Sequence, residues 1–373
     1  MQEIALTRDG TRGCWRHDFP IEASSPGLAH LPASSAAERA LLVALVLLSA
    51  GCAGGADSVA SESPLPPSDS TAPPGDTLLP PSDTVAPPPD TLVPPPDTVV
   101  PPPPPSGPPP EHVGIPFGPA QQPVTGWGPR FSSTVYTADP KHFQRDLETA
   151  RRAGMRLFVS FSGSAPYIRD ENGFSLRLWK QRVDRFRAFD MTPYIDDGTI
   201  IGHFILDEAD DRNNWNGHLV ARQDIEEMAR YSKEIWPTLP AIIRAFPDYL
   251  KGHRYPHLDA VRVQYHARFG DVDQFLDKNV QLTRELGLVL LAGLNVIHGG
   301  GEDSGMPSYQ SGKRAMNPSQ LRSWGGKFFA VPGICGFIMW EYREEYFSRS
   351  DVSAAMQELN REAQTLPKRT CRI

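Results

Sequence analysis

From residue 111 onward, continuous apolar runs alternate with segments whose apolar positions recur every three or four residues. The runs at 113–118 (VGIPFG), 156–162 (RLFVSFS), 199–207 (TIIGHFILD), 240–246 (PAIIRAF), 260–266 (AVRVQYH), 287–296 (GLVLLAGLNV) and 334–341 (ICGFIMWE) predict strands covered on both faces, as in a parallel sheet wrapped by helices. Between them lie six helical stripes. Phe143, Leu147 and Ala150 follow Asp139-Pro140 as N-cap and first turn, and Gly154 ends them. Leu176, Trp179, Val183 and Phe186 form the second; Ile225, Met228 and Ile235 form the third, stopped by Pro237. Val272, Leu276 and Leu286 run up to Gly287. Leu321, Trp324 and Phe328 follow Asn317-Pro318, and Val352, Met356 and Leu359 follow a Ser350 cap. This alternation predicts an α/β fold. Because no glycine-rich phosphate loop follows any strand, a closed (β/α) TIM-type barrel is favoured over an open nucleotide-binding sheet. Seven strands are clear, and an eighth falls at 131–137 (FSSTVYT) or within 247–259. The expectation is therefore a barrel with a missing or distorted strand.

The first 110 residues follow other rules. Residues 40–50 (ALLVALVLLSA) form an apolar run too short to span a bilayer but suited to the core of a secretion signal. The run leads into Leu48-Ser49-Ala50-Gly51-Cys52, which resembles the lipobox of bacterial lipoproteins. The resemblance implies cleavage before Cys52, diacylglycerol on its thiol and a membrane partner reached through that anchor. Ala53, where an aspartate would retain a lipoprotein at the inner membrane, implies the outer membrane in a Gram-negative host. Of the 39 prolines, 21 fall in residues 64–110, where a seven-residue unit repeats with Asp69, Asp76, Asp83, Asp90 and Asp97 in step. Paired prolines forbid a helix, so residues 53–110 read as a disordered Pro-rich linker of polyproline II character, with a reach on the order of 150 Å. The chain thus divides into 1–52 (extension and signal), 53–110 (linker) and 111–373 (barrel). With 44 acidic and 37 basic residues its net charge is −7, which argues against nucleic acid as a partner; a monomer is expected. Outside the cell, Cys335 and Cys371 are expected to form a disulfide, two free thiols being the alternative.

In barrels of this kind the strand C-termini carry the chemistry. The run 199–207 passes directly into Asp207 and Glu208, which is costly unless those carboxylates face a solvated cleft. Trp215 follows among asparagines, a composition suited to sugar hydroxyls and a sugar ring face. The last strand ends in Trp340-Glu341-Tyr342. Strand parity puts Trp340 with Gly336 and Ile338, and Glu341 with Cys335 and Met339, so a Trp340 aimed into the barrel mouth leaves Glu341 toward the helices unless the strand breaks there. Arg244, Asp248, Gln264, Tyr265, His266, Asn295, His298 and Glu302 end or follow other strands.

Residues 111–373 resemble the TIM-barrel glycoside hydrolases, on the strands Gly202-His203-Phe204-Ile205-Leu206-Asp207-Glu208 and Gly336-Phe337-Ile338-Met339-Trp340. The resemblance implies hydrolysis of a polysaccharide or oligosaccharide without a cofactor or metal, Glu208 as acid/base and Trp340 in the substrate cleft. Asp207 stands where the large retaining clan has asparagine, and Asn295 where its nucleophile glutamate would be. The chitinase-type spacing is absent, since His203 and Ile205 occupy its aspartate positions. Glycosidic hydrolysis needs two carboxyl groups, so Glu208, with a pKa raised by Asp207 and burial, requires Glu302, Glu341 or Asp248 as its partner. Trp340, Trp215, Tyr265, Gln264, Asn295, His298, Arg244 and Tyr342 are the candidate substrate contacts. A non-catalytic polysaccharide- or cell-wall-binding lipoprotein is the first alternative. The second is a metal-dependent hydrolase using His266, His298, Asp207 and Glu208, which lacks the His-x-His usual after the first strand.

Overall fold

A computed structural model describes residues 111–373. The expected signal segment, lipidated Cys52 and Pro-rich linker lie outside the described residues. Eight parallel strands form one sheet: β1 (Phe117–Pro119), β2 (Ser133–Thr137), β3 (Arg156–Ser160), β4 (Ile200–Leu206), β5 (Ala241–Arg244), β6 (Ala260–Arg262), β7 (Val289–Ala292) and β8 (Gly336–Met339). Each pairs with the next from β2 to β8, and β8 returns to β1 with Gly118 opposite Ile338. The result is a nearly closed barrel with one unsealed seam, between β1 and β2. Backbone bonds from Ser132 to the Phe117 carbonyl and from Gln121 to the Val135 carbonyl, 2.9 Å each, cross that seam. The Thr134 hydroxyl adds a 2.7 Å bond to the Pro119 carbonyl. A Cβ on Gly118 would fall 1.9 Å from the Ser133 carbonyl oxygen, so only glycine lets these two strands approach.

The eighth strand is thus the 131–137 alternative. The β1–β2 connection carries only a 3₁₀ turn, Val124–Gly126. Elsewhere the chain winds through α1 (Phe143–Arg152), α2 (Leu176–Asp184), α3 (Thr192–Asp196), α4 (Arg222–Ile235), α5 (Pro247–Leu250), α6 (Val272–Leu286), α7 (Pro318–Ala330), α8 (Glu344–Phe347) and α9 (Ser350–Thr365). Chemistry at the ends explains several of these bounds. Asp271 accepts from the backbone of Asp273 and Gln274 to start α6, and Gly287 ends it in a left-handed conformation at φ 67°. Asn317 and Gln320 form a reciprocal capping box at α7, with Pro318 in its first turn. Two expected caps fail. Asp139 bonds Lys141 in a turn and α1 begins only at Phe143; Ser350 is the first residue of α9 rather than its cap.

Alternation sorts the core. Val135, Phe158, Phe204, Ile242, Ala260, Leu291 and Ile338 fill the barrel interior. The opposite faces pack on the helices in two clusters. One is centred on β3 to β5 with α1, α2 and α4, the other on β7 and β8 with α6, α7 and α9. The N-terminal end of the barrel is closed by the expected disulfide between Cys335 and Cys371, with an S–S distance of 2.01 Å. Both cysteines join the interior cluster, so the C-terminal tail forms part of the barrel floor.

Candidate active site at the barrel mouth

The strand β4 runs directly into its carboxylates. Glu208 adopts a left-handed conformation (φ 52°), which swings the chain out of the strand. Nearby groups over-determine that unfavourable turn. The Trp215 indole N–H donates to the Glu208 carbonyl at 2.8 Å, and the Asp211 backbone N–H does so at 3.1 Å. The Asn214 amide donates to Glu208 Oε2 at 2.8 Å, while Arg244 ion-pairs with Oε1. Arg244 also lies 3.4 Å from Asp207. Two residues beyond Glu208, Asp210 accepts the Phe246 backbone N–H at 2.8 Å, so the acidic run is stitched to the end of β5.

Charge alternates down the mouth. Loss of hydration raises the pKa of Asp207 although 42% of its side chain opens on the cleft; Arg244 opposes the rise and Glu208 adds to it. For Arg244 burial works against the charge, but Glu208 and Asp207 hold its pKa above the ordinary value. Deeper inside, Arg262 is pushed down to about 9 by burial. It donates to the Ile338 carbonyl at 3.3 Å and lies over the Phe204 ring. Gln264 follows on the same strand face as Arg262; it is 5% exposed, and its amide oxygen and nitrogen have no partner among the described residues.

Across the mouth Asn295 pairs with Trp340 in an isolated parallel bridge. Trp340 packs on the interior cluster, in the direction given by parity. Strand β8 ends at Met339, and Glu341, with 14% of its side chain exposed, pairs with Arg343. Asn295 Oδ1 accepts the His298 backbone N–H at 3.1 Å, and His298 Nδ1 meets the Ser308 hydroxyl at 2.6 Å. Burial, then Lys313 and Arg343, lowers the His298 pKa.

Other candidates are placed elsewhere. Trp215 is fully buried edge-on against Phe174 and holds Glu208's backbone, so it presents no ring to a sugar. Tyr265 faces the helices between Phe275 and Trp324, its hydroxyl on the Gly270 carbonyl at 2.5 Å. Tyr342 stacks on Phe347 and bonds Glu344. Glu302 is exposed on a 3₁₀ turn, and Asp248 is held at the surface by Lys251 and Lys278. His266 accepts the Arg268 backbone N–H. Among the described residues no three His, Cys, Asp or Glu side chains are grouped to hold a metal ion. Sequence reasoning missed Arg262, whose signal is a charge inside an otherwise apolar strand, and the partnership of Asn214 with Glu208.

Fold and site together define a (β/α)8 barrel with a charged, aromatic mouth. No protein-family model and no curated protein matches this sequence. Solved structures that the chain is similar to are glycoside hydrolases with TIM-barrel folds. A β-glucuronidase from Parabacteroides merdae aligns with a TM-score of 0.39 and 12% identity over 57% of this chain and 27% of that one. A β-D-glucuronidase from Dictyoglomus thermophilum gives 0.42 and 11% over 65% and 46%. A GH113 β-1,4-mannanase gives 0.44 and 11% over 63% and 88%. The chain thus spans about a quarter to a half of the two glucuronidases.

Proposed function

We propose that the protein is a glycoside hydrolase acting on a polysaccharide or oligosaccharide, exported and held to the cell envelope through a lipid on Cys52. The observation carrying this reading is Glu208, turned into the barrel mouth and fixed there by Asn214 and Arg244 close to the uncovered carboxylate of Asp207. Glu208 donates its proton to the glycosidic oxygen as the bond to the sugar breaks; the second carboxylate either bonds to the sugar, and Glu208 then takes a proton from the water that displaces it, or itself takes the proton of the attacking water. Among the partners considered, Glu302 and Asp248 are exposed, whereas Glu341, although paired with Arg343, is largely enclosed next to Trp340. Glu341 is therefore assigned as second carboxylate, the nucleophile or the group that positions water. The test is release of reducing ends from plant, algal and bacterial polysaccharides. Wild type should release them, and Glu208→Gln should lose at least about a hundredfold, the usual contribution of a positioned acid/base. Equal release by the variant refutes the role of Glu208.

One observation favours a second reading, a non-catalytic polysaccharide-binding lipoprotein. The guanidinium of Arg244 occupies one Glu208 oxygen, and an ion-paired carboxylate has no proton to give. Glycan binding by wild type without any released product would select it.

A further inference from the structure

Few large apolar side chains are strongly exposed among the described residues. Val113 and Ile373 lie at the two ends of the described segment; the others are Tyr167 (58%) and Tyr309 (48%). Both tyrosines stand on loops that leave strand C-termini, Tyr167 between β3 and α2 and Tyr309 between β7 and α7. These two strands are four places apart in a ring of eight, so the loops that carry the tyrosines leave the barrel on opposite sides of its mouth. Eight strands about 4.8 Å apart and tilted by about 36° close a ring roughly 15 Å across. The gap is far wider than one sugar ring, and Trp340 lies on the barrel face between them.

The Tyr167 ring is held in place. Arg182 lies 4.4 Å from its centroid and is itself fixed by a 2.9 Å bond to the Ser162 carbonyl, leaving the ring open on its solvent side. Its loop is tied to the segment carrying Glu208. Arg169 donates to the Asn214 carbonyl at 2.9 Å, and Asn216 to the Asp170 carbonyl at 2.6 Å. The Tyr309 loop is fixed next to Trp340 through the Ser308–His298 and His298–Asn295 bonds. An aromatic ring left about half exposed gains little from packing at that position. Its open face suits the apolar face of a pyranose, which an aromatic ring stacks against.

We infer that Tyr167 and Tyr309 are stacking platforms at the two ends of a track across the barrel mouth, so that the ligand is an extended glycan chain bound along its interior rather than a mono- or disaccharide. This rests on the carbohydrate reading of the mouth and holds for both a hydrolase and a binder. An internally bound chain places Glu208 beside a linkage with sugars on either side.

The test measures binding of the full chain to β-1,4-glucan, β-1,4-mannan and β-1,3-glucan oligosaccharides from dimer to octamer. Wild type should tighten with length. Tyr167→Ala and Tyr309→Ala should each weaken the octamer about tenfold with little change for the dimer, and Tyr167→Phe, which keeps the ring, should bind as wild type. Octamer affinity unchanged in both alanine variants, equal affinity for dimer and octamer, or a loss in Tyr167→Phe matching that in Tyr167→Ala each overturns the track. In those cases glycan binding itself stands, and so does the wider reading. No binding of any oligosaccharide by wild type overturns both.

Discussion

Gln264 is the least comfortable side chain of the mouth. Ala260, Arg262 and Gln264 share one face of β6 and its extension, so the interior passes from an apolar floor to a guanidinium and then to an amide. An enclosed polar group without a partner costs about 1–3 kcal/mol, and Gln264 has two such atoms. Gln264→Leu should therefore raise stability by about 1 kcal/mol or more, seen as a higher denaturant midpoint at unchanged slope. If the mouth binds glycan as proposed, the same variant should weaken that binding. A variant less stable than wild type would show that the amide is satisfied inside the barrel. The sequence exposes this residue only in part. Neighbours along a strand face opposite ways, so Gln264 and Tyr265 could not both enter the mouth, yet the strand-end rule nominates both. Burial of the Tyr265 ring between Phe275 and Trp324 decides between them, and that is a tertiary fact. Trp215 fails for the same reason: its composition suits a sugar platform, but its ring is spent on holding the Glu208 turn.

At the scale of elements, the junction of β4 with α2 and α4 is built around His203. The imidazole is fully buried, stacks on Trp179, touches Phe161 and Trp236, and bonds the Ser232 hydroxyl at 2.7 Å. Burial alone lowers its pKa to about 3. Above the ordinary value of 6.5 neither state carries the proton and nothing is lost. Between 6.5 and 3 the unfolded chain binds a proton that the folded one refuses, so stability falls by about 1.4 kcal/mol per pH unit. Urea midpoints measured from pH 7 to pH 4 should show this slope, and His203→Gln should flatten it by one proton's worth. An unchanged slope would mean that the native state accommodates the charged ring. The strand itself was legible as an apolar run, and the helices α6 and α7 were legible because their caps are local chemistry. The first strand was less so: β1 is three residues long and its neighbour β2 follows without a helix. Helical periodicity therefore gave no warning of where the barrel closes. What joins them is the absence of a side chain at Gly118 and the hydroxyl of Thr134, and neither is a periodic signal.

For the whole molecule the floor and the mouth of the barrel do different work. The mouth gathers the charges of Asp207, Glu208 and Arg244 and the unpartnered amide of Gln264, while the floor, where Arg156 and Thr199 are also buried, carries the one covalent link between the last strand and the tail. The Cys335–Cys371 bridge spans 36 residues, which contain all of β8, α8 and α9. Its effect falls on the unfolded chain, where closing a loop of that length removes conformational freedom equivalent to about 4 kcal/mol. Because α9 packs on α7 and carries Val352, Met356 and Leu359 into the outer core, releasing the tail loosens the wall next to β7 and β8 as well as the floor. Replacing both cysteines with serine should lower unfolding free energy by about 2–4 kcal/mol. The mouth lies at the opposite end of the strands, so glycan binding well below the new melting temperature should stay within about twofold of wild type, as distant sites usually act independently. Calorimetry paired with a binding titration at low temperature separates the two effects. A binding loss as large as the stability loss would show that the floor and the mouth are coupled through β8, whose ends carry Cys335 and Trp340.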